Sequence, residues 1–122
     1  MKLISSKLLP SPCPIPGREP RITHIGFVQT RWFESPEDHT EQLAEGVSTC
    51  AEAGANVVFL PELTLSRYPA DTRPEGPADA SAEDLETGPS LALAKQLAQD
   101  CDVHLQISLF ERSGAADQRG LN

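Results

Sequence analysis

Asn56-Val57-Val58-Phe59-Leu60-Pro61-Glu62-Leu63 is an apolar run that ends in a proline and then a carboxylate, and it narrows the folds open to this chain more than any other stretch. Val57-Val58-Phe59-Leu60 has the composition of a strand buried on both faces, as in a parallel sheet covered by helices. Pro61 has no N–H to give to a sheet ladder, so the strand closes at Leu60 and Glu62 falls just past its carboxyl end. In open α/β sheets that edge carries ligand sites and catalytic groups.

The residues before the run supply the rest of a βαβ unit. Ile22-Thr23-His24-Ile25-Gly26-Phe27-Val28 is short and rich in β-formers, which predicts a first strand, with Gln29 to Glu34 as the loop leaving its carboxyl end. At Ser35-Pro36-Glu37-Asp38 a helix begins: serine caps open N–H groups, proline suits the first helical position, and the acids complement the positive end of the dipole. Leu43, Val47, Cys50 and Ala51 recur at helical spacing opposite Glu41, Gln42, Glu45 and Glu52, with His39 assigned to the polar side. Gly54 suits the left-handed stop of this helix, and the buried run opens at Asn56. Strand, helix and strand with short joints make a crossover between parallel strands.

Beyond the run, Leu63 to Gly88 loses periodicity and fills with prolines and acids, a loop long enough to form a wall or lid at the site edge. Its stretch of acids from Asp71 to Glu86 reads as solvated. A second helix starts at Thr87-Gly88-Pro89-Ser90, turns Leu91, Ala94, Leu97 and Ala98 inward, and ends near Asp100. Val103 to Phe110 alternates apolar and polar residues, as a third strand with one more exposed face does. At the other end, Leu9 to Pro20 holds five prolines, so residues 1–20 are expected to form a proline-rich, poorly ordered arm and residues 21–122 the folding part.

Composition removes several functions. With 18 acids against 10 bases the chain has a formal net charge of -8, which leaves little to neutralise a nucleic-acid backbone. Neither a signal peptide nor a membrane span is predicted, because Ser5, Ser6 and Lys7 interrupt the first apolar residues and no later run approaches spanning length. Cys13, Cys50 and Cys101 are widely spaced, with no C-x-x-C and no clustered histidines. Neither a disulfide framework nor a metal site is implied, and a reducing cytoplasm suits the chain best. No G-x-G-x-x-G or P-loop follows any strand, which argues against a doubly wound nucleotide-binding module and gives no reason to expect a cofactor.

Four segments in register carry a more specific signal. Gly26-Phe27-Val28-Gln29, then Gly54 to Leu63 with the following Tyr68-Pro69, then Glu86-Thr87-Gly88-Pro89, then Ile107-Ser108-Leu109-Phe110-Glu111-Arg112, resemble the nitrilase, or carbon-nitrogen hydrolase, superfamily. The likeness runs from about Arg21 to the end of the chain. It implies an α/β fold, a partial α-β-β-α sandwich in the order β-α-β-loop-α-β with mainly parallel strands. It also implies hydrolysis of non-peptide C–N bonds in small amides, carbamoyl compounds or nitriles by a glutamate, a lysine and a cysteine, and a homodimer as a common assembly. By resemblance Glu62 is the general base that takes the thiol proton, and Tyr68 is a candidate for binding substrate.

The resemblance places the lysine and the nucleophilic cysteine well downstream of Phe110-Glu111-Arg112. Lys2 and Lys7 lie in the arm and Lys95 on the second helix, while Cys50 and Cys101 read as small buried hydrophobes. The chain is therefore expected to be the N-terminal portion of a hydrolase domain that is inactive by itself, the alternative being a non-catalytic product that associates with a partner. Of the remaining polar residues, His24 and His104 read as solvated or hydrogen-bonded strand histidines rather than metal ligands, and Arg67 as half of a surface pair with a loop acid, the alternative being a contact to a substrate carboxylate. Trp32, Phe33 and Tyr68, in loops at the carboxyl edge, could line a pocket or merely cover the edge of the core.

Overall fold

A computed structural model describes residues 1–7, 13, 16–17, 22–68 and 81–112. Most of the proline-rich arm, the middle of the long loop and the tail from residue 113 lie outside the described residues. The elements follow the order β1 (Ile25–Phe27), α1 (Pro36–Glu52), β2 (Val57–Phe59), α2 (Pro89–Cys101) and β3 (His104–Gln106). The strands form one sheet in the order β1-β2-β3, and both pairings are parallel. Ile25, Val57 and His104 share one register row, and Phe27, Phe59 and Gln106 share another.

Local chemistry sets the ends of α1. The Ser35 hydroxyl accepts the Asp38 N–H at 3.1 Å, Pro36 takes the first turn, and Glu37 and Asp38 stand at the positive end of the dipole. At the other end Gly54 has φ +90, and Gly54 and Ala55 N–H donate back to Ala51 and Cys50 carbonyls at 2.8 and 3.0 Å. Only a residue without a Cβ adopts that left-handed stop without strain. The helix settles so close to β1 that a Cβ on Gly26 would lie 2.7 Å from the Cys50 Cβ.

The strands are shorter than the sequence predicts because a ladder needs a partner along its whole length. Before Ile25 the pairing continues for one residue, the His24 carbonyl accepting the Asn56 N–H at 2.8 Å, and after Leu60, whose N–H donates to Gln106 O at 3.0 Å, Pro61 ends the ladder for β3 as well. Downstream of Gln106 the chain instead pairs with the loop, through Ser108 to Thr64 and through a parallel bridge between Glu83 and Glu111.

Leu43, Val47 and Cys50 of α1 and Leu97 of α2 close the core over Val28, Val58, Leu60 and Val103. Against expectation, Leu93 rather than Leu91 packs against this core from α2. The expectation that β2 is buried on both faces is also corrected. Val58 is fully buried, but Val57 and Phe59 are only partly so, and their neighbours Ile25 and Phe27 are 52% and 69% exposed. Among the described residues both helices cover the same face, because alternate strand residues point to opposite sides and only one side meets α1 and α2. On the other side Phe27 and Phe59 stack with ring centroids 5.2 Å apart.

His39 needs the same kind of correction. It is buried at 5% exposure rather than solvated on the polar side of α1. Its position four residues before Leu43 and eight before Val47 places it on the buried stripe of the helix.

Candidate active site

Glu62 projects from the carboxyl edge of the central strand. Its residue is exposed, and it borders a shallow cavity of about 470 Å³ with Val28, Gln29, Thr30, Arg31 and Pro61. Its carboxylate has no hydrogen bond or ion pair among the described residues. Arg31, which lines the same cavity, stacks its guanidinium over Phe33 at 4.5 Å. An acid with no structural partner, mounted at the sheet edge where α/β proteins build their sites, is free to exchange a proton with a bound molecule.

The backbone beneath Glu62 is tightly held. Leu63 adopts φ +52, a left-handed conformation that costs a non-glycine residue roughly 1 kcal/mol and persists only where its surroundings enforce it. Thr64, 2% exposed, supplies that enforcement. Its N–H donates to Ser108 O at 2.8 Å, and its hydroxyl donates to Pro61 O at 3.1 Å while accepting the Ser108 N–H at 3.2 Å. The Thr64 carbonyl accepts a hydrogen bond from His39 Nε2 at 2.9 Å. The Ser66 N–H closes the turn onto Leu63 O at 2.8 Å.

The other acids near α2 serve structure. Glu83 receives the Ser90 N–H and hydroxyl at 2.9 and 2.7 Å, and so caps a helix whose own cap residue, Gly88, has no side chain to offer. Asp84 accepts the Thr87 hydroxyl and N–H, both at 2.8 Å, and the Glu86 N–H at 3.0 Å. These bonds, the Thr87 hydroxyl first, hold its carboxyl below the ordinary aspartate value. The part of the acidic run that is described, 81–86, is exposed at Asp84 and Glu86 as expected, and its Glu83 is also engaged as a cap for α2.

Not all of the residues singled out in the sequence come together. Tyr68 follows Glu62 along the same edge but is 50% exposed and borders neither described depression. Trp32 does line the second depression, of about 620 Å³, beside Leu65, Arg67, Glu83 and Arg112. Arg67 pairs with Glu34 at 3.1 Å, a surface ion pair as expected. Cys50 packs from the last turn of α1 against Gly26 in the middle of β1, Cys101 ends α2 just before β3, and neither borders the depression beside Glu62. Burial pushes the Cys50 thiol up, away from the thiolate a nucleophile needs. Lys2 and Lys95 are exposed, Lys95 on α2 away from the edge.

His39, Thr64 and Glu83 were missed by sequence reasoning. The buried stripe of α1 contained the signal for His39, whereas the partners of Thr64 and Glu83 lie too far along the chain for any spacing rule. Among the described residues no group of three His, Cys, Asp or Glu side chains is arranged to hold a metal ion, and no helix is long and apolar enough to cross a membrane. Comparison with known families matches residues 24–122 to the carbon-nitrogen hydrolase model. No curated protein matches the chain.

Proposed function

The chain belongs to the carbon-nitrogen hydrolase family, and from that premise we propose that Glu62 is the general base of a Glu-Lys-Cys site that hydrolyses small amides, carbamoyl compounds or nitriles. In this reading residues 21–122 form the first part of the hydrolase domain and residues 1–20 an arm ahead of it. The spacing of the cysteines suits a reducing compartment such as the cytoplasm.

One observation carries the proposal. Glu83 and Asp84 have their carboxylates engaged in capping, while Glu62 is exposed, has no partner among the described residues, and stands at a turn held by buried and part-buried hydrogen bonds. Fixing the backbone under a carboxylate with no partner among the described residues makes little sense for a cap and good sense for a base.

The chemistry needs a thiol beside Glu62. A thiol near its ordinary pKa is mostly protonated at neutral pH, so the carboxylate takes the S–H proton as sulfur attacks the substrate carbon. A lysine ammonium stabilises the negative charge that develops on the attacked group. For an amide, the C–N bond then breaks, the leaving amine takes up the proton, and water deprotonated by the same carboxylate releases the acid from the thioester. Cys50, buried under α1, and Cys101, at the end of α2, do not border the Glu62 depression and do not fill the role of the thiol, nor does Lys95 fill that of the lysine.

The 122-residue chain by itself should therefore release no ammonia from amide, N-carbamoyl or nitrile substrates. Turnover that disappears on Cys50→Ser or Cys101→Ser would overturn this. Reading the coding DNA past Asn122 is the companion test. Where a longer frame supplies a lysine and a cysteine after further strands, Glu62→Gln should lower kcat by roughly 10²-fold or more with the fold intact, and unchanged kcat sinks the assignment.

A further inference from the structure

We infer that His39 is a positioning residue for Glu62, acting through the Thr64 carbonyl; this rests on the reading of Glu62 as the general base. A carbonyl oxygen carries no proton, so the 2.9 Å contact requires the proton on His39 Nε2 and makes the ring the donor. The bond joins α1 to the turn that begins immediately after Glu62, across a separation of 25 residues. It reaches the one Thr64 backbone group that Ser108 leaves open. Together, the segment after β3 through Ser108 and α1 through His39 hold that turn from two sides.

The rest of the His39 environment points to this bond as the reason for a histidine. Nδ1 is buried and has no hydrogen-bond partner among the described residues. The ring packs against Trp32 at 4.4 Å and Phe33 at 6.2 Å between centroids, so its surroundings are otherwise apolar. An apolar side chain would fill the same stripe beside Leu43 and Val47 without stranding a polar atom. What such a side chain could not supply is the donor for Thr64 O. Through it the direction of the Glu62 Cα–Cβ bond, and hence where the carboxylate can reach, is tied to the register of α1 on the sheet.

Amide exchange and residual dipolar couplings on the full 122-residue chain test this with two variants. His39→Phe keeps a ring and loses the donor, while His39→Gln places an amide N–H where Nε2 stood. In His39→Phe the Thr64 and Ser66 amides should exchange about tenfold faster than in the parent, with Val47 and Leu60 changed by less than about threefold. The Glu62 Cα–Cβ coupling should shift with them, and His39→Gln should restore both readouts. A uniform rise at all four amides, no change in His39→Phe, or no restoration in His39→Gln would overturn the inference. Should His39→Phe not fold, His39→Gln decides alone: parent-like exchange and coupling keep the inference, and losing them overturns it. Neither readout uses the carboxylate, so Glu62→Gln should leave exchange unchanged; a failure of the general-base reading would show in turnover instead.

Discussion

Replacing Thr64 by valine keeps the shape of a side chain that is 2% exposed and removes both of its hydroxyl bonds. Without the hydroxyl the part-buried Ser108 N–H is stranded. A stranded donor of this kind costs about 1–3 kcal/mol, and the added methyl returns at most about 0.8 kcal/mol by burial. The expected net loss is about 1–2 kcal/mol, against a total stability of about 5–15 kcal/mol for a small domain. Thr64→Ser is the control, since it keeps the hydroxyl and gives up one methyl, at about 1 kcal/mol or less. Urea unfolding followed by circular dichroism should therefore rank the parent first, then serine, then valine. With a slope near 1–2 kcal/mol/M, the valine midpoint should fall by about 1 M. Ser108 should lose amide protection in the valine variant alone. If serine proves more damaging than valine, packing rather than hydrogen bonding holds the turn under Glu62, and the account of its pre-organisation is wrong.

Gly46→Ala should destabilise, although alanine gains about 1 kcal/mol over glycine in a helix, because its Cβ would stand 2.6 Å from Cγ1 of Val28, a stiff, buried residue just past β1. Overpacking of this kind costs about 1–3 kcal/mol, so the urea midpoint should drop in the single variant and recover when Val28→Ala is added. Asp84 is a depressed carboxyl, so its support of the turn before α2 is complete above the ordinary aspartate value of 3.8 and is lost only as pH falls through a lower one. The Thr87 amide resonance should titrate below pH 3.8, and Asp84→Asn should abolish that inflection. Cys50, 9% exposed with its thiol pushed up by burial, should resist iodoacetamide in the native chain and react on unfolding, as mass spectrometry of the labelled peptide will show; native labelling as fast as that of a model thiol would contradict its burial.

Wherever one short stretch carries its own instruction, structure follows sequence closely. Ser35-Pro36 starts α1 and Gly54 ends it because capping and left-handed stops involve residues within a turn of one another. Leu43, Val47 and Cys50 reach the core because 3.6-residue periodicity needs no knowledge of what the helix packs on. Pro61 ends the strand and delivers Glu62 to the sheet edge because a missing N–H is a property of one residue.

Only tertiary structure decided the rest, and in each case the deciding partner is remote. Glu83 caps α2 from seven residues away, Thr64 meets Ser108 across 44, and His39 meets Thr64 across 25. The open face of β2 likewise depends on which side α1 and α2 choose, something the uniformly apolar Val57-Val58-Phe59-Leu60 does not encode. Sequence by itself thus determined that an acid stands at the end of the central strand. The tertiary structure decided that this acid has no partner among the described residues, that the backbone beneath it is tied to α1 and to the segment after β3, and that Cys50 is buried under α1 away from its depression. The physical reason is range: caps, stops and periodicity act within a few residues, whereas a carboxylate's surroundings are assembled from elements that meet only once the sheet has closed.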